Sequence, residues 1–297
     1  MDATLARLKK KLPGITSNVS LSKYTSFKIG GPAKYFFIAK NSQGVILSVK
    51  AAKKEHIEYF ILGSGTNVLI SDKGFDGLVI KMENNSIKYA GPLVTAEAGT
   101  PLQKLVHDTA QKNLCGLEFL AGIPGTVGGG VAGNVGTPDE WIDKHLTKVD
   151  ILNINGETES ILKPNCDFSY RFSRFKYDNQ DIILSATWQL SQGSKSEIQS
   201  RIQSYIKKRG HQPVGLPCAG SIFKNPPGEK AWKLIDQLGL RGKRIGGAKV
   251  SDQHANFILN DGHATAEDVI ILISYIKQQV RDTLGIQLQE EIKYVGF

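Results

Sequence analysis

The chain has 297 residues, of which 40% are hydrophobic and 22% charged, as in a soluble globular protein with room for two or three domains. It contains no apolar run of about 20 residues, so no membrane-spanning helix is predicted. Its formal net charge of +9 is dispersed, which favours small anionic ligands over nucleic acid. Three widely spaced cysteines and an N-terminus without an apolar signal core predict a cytoplasmic protein without disulfides or zinc.

The first third of the chain alternates strand and helix patterns. An amphipathic helix is predicted within MDATLARLKKKLPG, a strand at YFFIA, and then a helix capped by Asn41 or Ser42. The runs IEYFILG, VLIS, GLVIKM and LVTAEAG are predicted strands. Thr100-Pro101 predicts the N-cap and first turn of another helix. Mixed sheets in an α+β domain follow from this order.

A hairpin and a polar link follow in the middle of the chain. KVDILNINGETESIL predicts a hairpin that turns at Asn155-Gly156, and DIILSATWQL predicts a further strand. The polar stretch SQGSKS, residues 191–196, is predicted to be flexible and to separate two domains.

The last third has its own pattern, typical of a smaller α/β domain. It predicts helices over residues 196–209 and 229–238 and a strand at ANFILN. Thr265 and Asp268 form a predicted capping box for a long helix that ends near Gly285. The tail IQLQEEIKYV alternates like a strand.

Two glycine-rich segments are candidates for a backbone that binds phosphate. GSGTN, residues 63–67, directly follows a predicted strand, where backbone N–H groups can cradle diphosphate oxygens. AGIPGTVGGGVAGN, residues 121–134, has six glycines, each costing about 0.5–1 kcal/mol relative to alanine. The first segment has neither a GxGxxG nor a GxxxxGK[ST] fingerprint. An ordinary turn stays open for the first segment, and close helix–strand packing stays open for the second. Together they favour one elongated dinucleotide.

Three further segments carry candidate catalytic groups. In YRFSRFK, either Arg171 or Arg174 could bind a carboxylate through two hydrogen bonds, or the segment could be a solvated basic strand. Ser221 in AGSIFKNP does not match the GxSxG nucleophile motif, and its hydroxyl could donate a proton or satisfy a turn. Glu290 and Glu291 point to opposite faces of the predicted last strand, where a solvated edge is the alternative.

Read in order, these segments resemble the bacterial UDP-N-acetylenolpyruvoylglucosamine reductase family, flavoenzymes of cell-wall precursor synthesis. The matching stretches, within residues 24–296, are YTSFKIGGPA, LGSGTNVLISDKGFDG, GLEFLAGIPGTVGGGVAGN, YRFSRFK, QPVGLPCAGSIFKNP through GAKVSDQHANFILN, and LQEEIKYVG. The resemblance implies an α+β, two-lobed FAD-binding domain of the vanillyl-alcohol-oxidase (PCMH) type and a smaller α/β substrate-binding domain. The implied bounds are 1–192, with lobes at about 20–82 and 83–192, and 197–297, with strand 286–297 returning to the flavin.

The resemblance also implies roles for individual residues. Arg171, Ser221 and Glu291 match the catalytic trio, and Asn225 and Arg209 match contacts of the substrate diphosphate. The implied contacts of a non-covalent FAD are Gly63, Ser64, Gly65, Thr66, Asn67, Gly122, Ile123, Pro124, Gly125, Thr126, Gly128, Gly129 and Asn134. No metal is implied.

The implied activity is the NADPH-dependent reduction of UDP-N-acetylglucosamine enolpyruvate to UDP-N-acetylmuramate by a cytoplasmic monomer. Phe172 departs from the small or polar residue common in the family, and Thr66 replaces a serine. The short interval between Arg171 and Ser221 matches the shorter family type, which lacks an inserted tyrosine loop. Two alternatives remain: another FAD-dependent oxidoreductase with a sugar-derived substrate, and a non-catalytic protein that binds anions or nucleic acid.

Overall fold

The computed structural model describes residues 2–176, 181–213 and 215–297, so Val214 of the QPVGLP stretch lies outside the described residues. The helices in these ranges are α1 (Ala3–Lys11), α2 (Ser42–Lys54), α3 (Leu102–Gln111), α4 (Val127–Ala132), α5 (Lys195–Lys208), α6 (Ala231–Gln237) and α7 (Ala266–Leu284). None of them is both long and apolar enough to cross a membrane.

The strands are short and distributed along the chain. They are β1 (Thr16–Ser20), β2 (Pro32–Ala39), β3 (Tyr59–Leu62), β4 (Val68–Ile70), β5 (Phe75–Met82), β6 (Ile87–Ala90), β7 (Leu93–Glu97), β8 (Leu114–Cys115), β9 (Leu146–Leu152), β10 (Thr158–Leu162), β11 (Ile182–Gln189), β12 (Ser191–Gln192), β13 (Cys218–Ser221), β14 (Arg244–Ile245), β15 (Ala248–Val250), β16 (Phe257–Asn260) and β17 (Lys293–Val295). The mixture of helices and sheets confirms the predicted α+β class.

The chain forms two compact units. The first unit comprises Met1–Ser17, Tyr35–Ser64 and Gly77–Arg209, and the second comprises Asn18–Lys34, Gly65–Asp76 and Gly210–Phe297. The stretch SQGSKS is not the flexible link that its composition predicts. Its first two residues form β12, which pairs with β8, and its Ser194 accepts a hydrogen bond from the Glu197 N–H at the start of α5. The limits at residues 192 and 197 stay a prediction.

In the described residues, the first unit contains most of a sheet with the strand order β1-β2-β5-β3, in which β3 and β5 are parallel. It also contains an antiparallel sheet in the order β10-β9-β11-β7-β6 and the pair β12–β8. The hairpin β9–β10 turns at Gly156, whose φ of +80° favours glycine, as predicted. The core contains the fully buried Trp188, whose indole N–H donates to the Ile142 carbonyl at 2.9 Å.

The start of α3 differs from the prediction. Pro101, not Thr100, occupies the N-cap position, and no side chain caps the helix. Thr100 is fully buried, and its carbonyl accepts a hydrogen bond from the Val127 N–H at 2.8 Å. The backbone of Thr100 therefore anchors the second glycine-rich segment, a long-range role that local capping preferences do not reveal.

The second unit contains an antiparallel sheet in the order β13-β16-β15-β14 and the parallel pair β4–β17. Helix α7 buries an apolar stripe and ends at Gly285 with φ +69°, as predicted. The tail is a strand only over β17, and Glu290 makes one isolated bridge with Phe223. The predicted continuous strand is therefore correct only in part.

Replacing Thr265 with alanine should lower the free energy of unfolding by about 1 kcal/mol, because the α7 capping box would be broken. Thr265 accepts the Asp268 N–H and Asp268 accepts the Thr265 N–H, both at 3.0 Å. Urea unfolding measures the change. The exposed Thr283, near the other end of α7, provides the matched control. Thr283→Ala should cost nothing, since alanine favours helix; an equal loss in both variants would contradict the capping role.

Candidate active site

The two glycine-rich segments meet within the first unit. A Cβ added to Gly63, directly after β3, would lie 2.6 Å from the Thr126 hydroxyl oxygen, closer than real Cβ contacts. Only glycine at 63 leaves this approach undisturbed. In the second segment, Gly122 and Gly125 have φ of +77° and +146°, which side chains rarely adopt. Glycine is therefore required for two reasons: close approach of the two segments at Gly63, and a positive φ at Gly122 and Gly125.

Part of the second segment packs against its own unit. The N–H groups of Val127 and Gly128 donate to the carbonyls of Thr100 and Ala98, each at 2.8 Å. A Cβ on Gly128 would lie 2.9 Å from the Ala98 Cβ. Close packing, the alternative considered for this segment, therefore explains Gly128. Gly129 differs, because a Cβ there would make only an ordinary contact of 3.6 Å with the Thr126 hydroxyl.

The loops offer the donors that a dinucleotide diphosphate needs. Within the described ranges, the backbone N–H groups of Ser64, Gly125 and Thr126 donate no hydrogen bond. They belong to the first unit, next to the Gly63–Thr126 contact. A side-chain-free backbone with such donors suits phosphate oxygens, so these residues fit an FAD diphosphate.

The start of the second segment is held by two polar side chains. Gln103 of α3 donates to the Ile123 carbonyl at 2.7 Å and accepts the Gly122 N–H at 3.0 Å. Arg209, the C-cap of α5, donates to the carbonyls of Ala121 and Phe119 at 3.1 and 3.2 Å. Burial, followed by the positive charge of Arg171, lowers the pKa of Arg209. The guanidinium thus fixes the backbone that leads to Ile123 and Pro124.

Arg171 lies at the tip of a tight turn. Ser169 and Phe172 exchange both backbone hydrogen bonds at 3.1 Å, so the backbone of Phe172 closes the turn. Arg171 has φ +55°, a left-handed conformation that costs a residue with a side chain about 1–2 kcal/mol. Its carbonyl accepts a hydrogen bond from Lys176 Nζ at 2.6 Å. A strained conformation held this way points to a functional constraint.

The turn is attached to the end of the second glycine-rich segment. The buried Asn134 donates to the Ser169 carbonyl at 3.1 Å, and Ser173 donates to the Ala132 carbonyl at 2.8 Å. Asn134, an expected cofactor contact, thus also positions the Arg171 turn. Arg174, the alternative to Arg171, forms an ion pair with Asp181 at 3.0 Å and donates to the Asn165 carbonyl. Arg174 therefore has a structural role.

Ser221 ends the edge strand β13 of the second unit. Cys218 pairs with Leu259 and Ser221 pairs with Phe257, so β13 carries one extra residue between these two pairs. Such a β-bulge re-aims the side chains that follow it. Gly220, with φ +74°, supplies the conformation that the bulge requires. The glycine before Ser221 therefore sets the direction of the hydroxyl.

The terminal segment lies directly against the serine segment. The Glu291 N–H donates to the Ile222 carbonyl and the Lys224 N–H donates to the Gln289 carbonyl, both at 2.8 Å. These bonds place Glu291 beside the residue that follows Ser221. Two segments about 70 residues apart in sequence are thereby brought together.

The structure distinguishes the two adjacent glutamates. Glu290 forms an ion pair with Lys277 of α7 at 2.6 Å. Burial, followed by the charge of Glu290 and a hydrogen bond to it, raises the pKa of Tyr294. Glu290 is thus engaged by α7 and β17 and is not the solvated edge residue that the alternative describes.

The remainder of the first glycine-rich loop belongs to the second unit. A Cβ on Gly65 would lie 2.2 Å from the Tyr24 carbonyl oxygen, so this position also requires glycine. The Asn67 side chain donates to the Glu291 carbonyl at 3.2 Å, and the Asn67 carbonyl accepts the Lys293 N–H at 3.0 Å. A Cβ on Gly220 would lie 3.9 Å from the Thr66 carbonyl oxygen. The loop, the serine segment and the terminal segment therefore meet.

Asn225 lies four residues after Ser221. Its side-chain oxygen accepts the Ala231 N–H at 3.0 Å and so helps begin α6. In the described part of the chain, no group of three or more His, Cys, Asp or Glu side chains is arranged to hold a metal ion.

Sequence reasoning missed Trp141, whose ring lies 5.4 Å from the guanidinium carbon of Arg171. The GTPDEW stretch signals a turn, but nothing in the spacing connects residue 141 with residue 171. Only the sequence resemblance brought the other candidates together, and Trp141 lies outside the stretches that carried it.

Comparisons with known proteins identify the family of the chain. The model for the C-terminal domain of UDP-N-acetylenolpyruvoylglucosamine reductase matches residues 212–295, and an FAD binding domain model matches residues 33–161. The chain is similar to the crystal structure of UDP-N-acetylenolpyruvylglucosamine reductase (MurB) from Thermus caldophilus, with a TM-score of 0.81 and 33% identity. That match covers 94% of this chain and 98% of the other.

Curated relatives extend over the whole chain. The UDP-N-acetylenolpyruvoylglucosamine reductases of Bacillus licheniformis and Bacillus subtilis are 39% and 37% identical to it. Each match covers 100% of this chain and 99% of the relative. The chain therefore belongs to the UDP-N-acetylenolpyruvoylglucosamine reductase family.

Proposed function

We propose that this protein reduces UDP-N-acetylglucosamine enolpyruvate to UDP-N-acetylmuramate with NADPH and bound FAD, a step of peptidoglycan precursor synthesis. The observation that carries the proposal is the pairing of the Ser221 and Glu291 segments, which places a hydroxyl-bearing and a carboxyl-bearing residue on adjoining backbone. Full-length similarity to reductases of this name supports it.

The cofactor site is the pair of glycine-rich segments. When bound, FAD supplies a hydride carrier between NADPH and the enolpyruvyl group. The N–H groups of Ser64, Gly125 and Thr126 would hold its diphosphate, and Gly63 leaves room for their approach. The other proposed contacts are Gly65, Thr66, Asn67, Gly122, Ile123, Pro124, Gly128, Gly129 and Asn134.

Side chains of the protein stabilise the negative charge that develops on the substrate and supply the proton. The reaction adds hydride to C3 of the enolpyruvyl group, and negative charge develops on C2 and its carboxylate. Arg171 stabilises that charge electrostatically, usually the largest catalytic contribution. Ser221 delivers the proton to C2. Because an ionised carboxylate would repel the developing charge, Glu291 acts either protonated or through a bridging hydrogen-bond donor.

The substrate diphosphate is assigned to Asn225 and Arg209. The side-chain oxygen of Asn225 accepts the Ala231 N–H, which fixes the orientation of the amide. The NH₂ group is the part of this amide that can donate to a phosphate oxygen. Arg209 contributes positive charge, while its Nε and one Nη hold backbone carbonyls. We further propose that the protein is cytoplasmic and does not bind nucleic acid, because both substrates are small nucleotides kept inside the cell. A monomeric state stays a prediction.

Anaerobic titration tests the proposed reaction. NADPH should bleach the yellow holoenzyme, and stoichiometric UDP-N-acetylglucosamine enolpyruvate should restore the colour while UDP-N-acetylmuramate forms. A colourless purified protein that takes up no FAD would contradict the proposal. Colour that returns with oxygen or a sugar lactone, but not with the enolpyruvyl substrate, would identify a different oxidoreductase.

Gly63→Ala should weaken FAD binding, because the new methyl group would force Thr126 away from the first loop. Fluorescence titration of the apoprotein with FAD measures the dissociation constant. Thr126→Ala provides the matched background, since it removes both the hydroxyl and the methyl group and leaves only the Cβ of residue 126, at 3.7 Å. Gly63→Ala should therefore weaken binding markedly less in Thr126→Ala than in the native chain. Equal effects in both backgrounds would refute the steric explanation.

A further inference from the structure

Two aromatic rings flank the guanidinium of Arg171. Its central carbon lies 5.4 Å from the centroid of the Trp141 ring and 5.8 Å from that of Tyr170. The two rings meet edge to face, with centroids 5.6 Å apart and an interplanar angle of 85°. Both distances are within the reach of about 6 Å over which an aromatic face attracts a cation.

Trp141 is the better-anchored of the two rings. It bridges Gly136 in a hairpin closed by the Ile142 N–H, which donates to the Val135 carbonyl at 2.9 Å. A Cβ on Gly136 would lie 2.9 Å from the Trp141 ring, so glycine there permits this ring position. Tyr170, by contrast, is 44% exposed and belongs to the same turn as Arg171. Trp141 therefore supplies a support independent of that turn.

The hairpin is in turn tied to α5 through Glu140. This carboxylate is 8% exposed, accepts a hydrogen bond from the Tyr205 hydroxyl, and pairs with Lys144 at 2.9 Å. Burial would raise the pKa of Glu140, but the hydrogen bonds from Tyr205 and Lys144 outweigh it and lower the pKa. The charged, bonded Glu140 fixes the backbone directly before Trp141.

Arg171 needs such support because it stands at the tip of a turn on a long flexible side chain. Its strained φ of +55° fixes the direction in which the side chain leaves the backbone, but not the position of the guanidinium. A flat guanidinium stacks readily on an aromatic face, which restricts its movement without using its hydrogen-bond donors.

We propose that Trp141 is a positioning residue that holds the guanidinium of Arg171 in place for the reduction of the enolpyruvyl group. This rests on the proposed role of Arg171. Trp141 does not contact the reacting atoms and acts only through the arginine.

The test compares W141L and W141F with the native holoenzyme in the two half-reactions, followed by stopped-flow absorbance. W141L should slow flavin reoxidation by the enolpyruvyl substrate by between about 2-fold and 30-fold, the range of cation–π attraction. W141F, which keeps a ring, should recover most of that loss. Flavin reduction by NADPH and the FAD dissociation constant should stay unchanged, which a merely structural loss would not allow.

A double-mutant cycle with R171M links the effect to the arginine. If Trp141 acts through Arg171, W141L should slow reoxidation no further in the R171M background. An equal slowing in both backgrounds, or an equal slowing of both half-reactions, would overturn the proposal. If R171M alone leaves reoxidation unchanged, the proposed function's assignment of Arg171 fails, and this inference fails with it.

Fluorinated tryptophan provides a second measurement if W141L does not fold. Added fluorine withdraws charge from the ring face, so reoxidation should slow in steps with each fluorine. The chain has three tryptophans, and W141F labelled in the same way controls for the other two. A dependence on fluorine that persists in labelled W141F, or none in the labelled native chain, would also overturn the proposal.

Discussion

Ser221→Ala is expected to slow flavin reoxidation by the enolpyruvyl substrate by about 10²- to 10⁴-fold, while flavin reduction by NADPH keeps its rate. A positioned proton donor contributes this much to a rate. Only the second half-reaction adds a proton to C2, so only that half should depend on the hydroxyl. Anaerobic stopped-flow measurements with each substrate separate the two rates.

The matched control is Ser204→Ala on α5, where the serine is exposed. It also removes one hydroxyl, and both half-reactions should continue at native rates. Equal slowing of both halves by Ser221→Ala would show that the serine supports the structure of the site and does not deliver the proton.

Local patterns predicted those elements whose cause lies within a few residues. The capping box of Thr265 and Asp268 and the left-handed Gly285 delimit α7 on chemistry visible in the sequence. Likewise, Asn41 accepts the Gly44 N–H at 2.8 Å and begins α2, one of the two caps considered. In each case the stabilising contacts join residues that are close in sequence, so the local sequence is enough to predict them.

Local patterns gave wrong predictions where a segment pairs with a distant part of the chain. Ser191 and Gln192 read as a polar link, yet they form β12 because Cys115 and Leu114 offer a partner strand. Thr100 resembles a helix cap, but its carbonyl is taken by Val127. No periodicity or capping rule contains information about a partner 27 or more residues away.

The candidate site shows the same division. Glycines, a serine and glutamates could be picked out by residue type, but their assembly came from the resemblance and not from periodicity. The bulge at Gly220 needs the register of β13 against β16, which sequence does not display. The resemblance chose Arg171 over Arg174, and the ion pair of Arg174 with Asp181, which only the structure shows, supports that choice.

Replacing Arg171 with methionine should slow flavin reoxidation by the enolpyruvyl substrate by about 10²- to 10³-fold, the usual effect of removing one group that stabilises developing negative charge. Flavin reduction by NADPH should change little. Arg171→Lys should recover only part of the loss, since lysine keeps the charge but lacks the planar fork.

The strained backbone of Arg171 allows a sharper separation of activity from stability. Arg171→Gly relieves a left-handed conformation worth about 1–2 kcal/mol, offset by the roughly 0.5–1 kcal/mol that glycine loses through its freer unfolded chain. Its free energy of unfolding in urea should therefore lie within about 1.5 kcal/mol of the native chain's, yet it should reduce substrate as poorly as Arg171→Met. Arg174→Met, which breaks the ion pair with Asp181, should leave both half-reactions intact. A native rate of reoxidation in Arg171→Gly would show that the side chain of Arg171 has no part in the chemistry. The strained backbone at residue 171 would then have no function in the reaction.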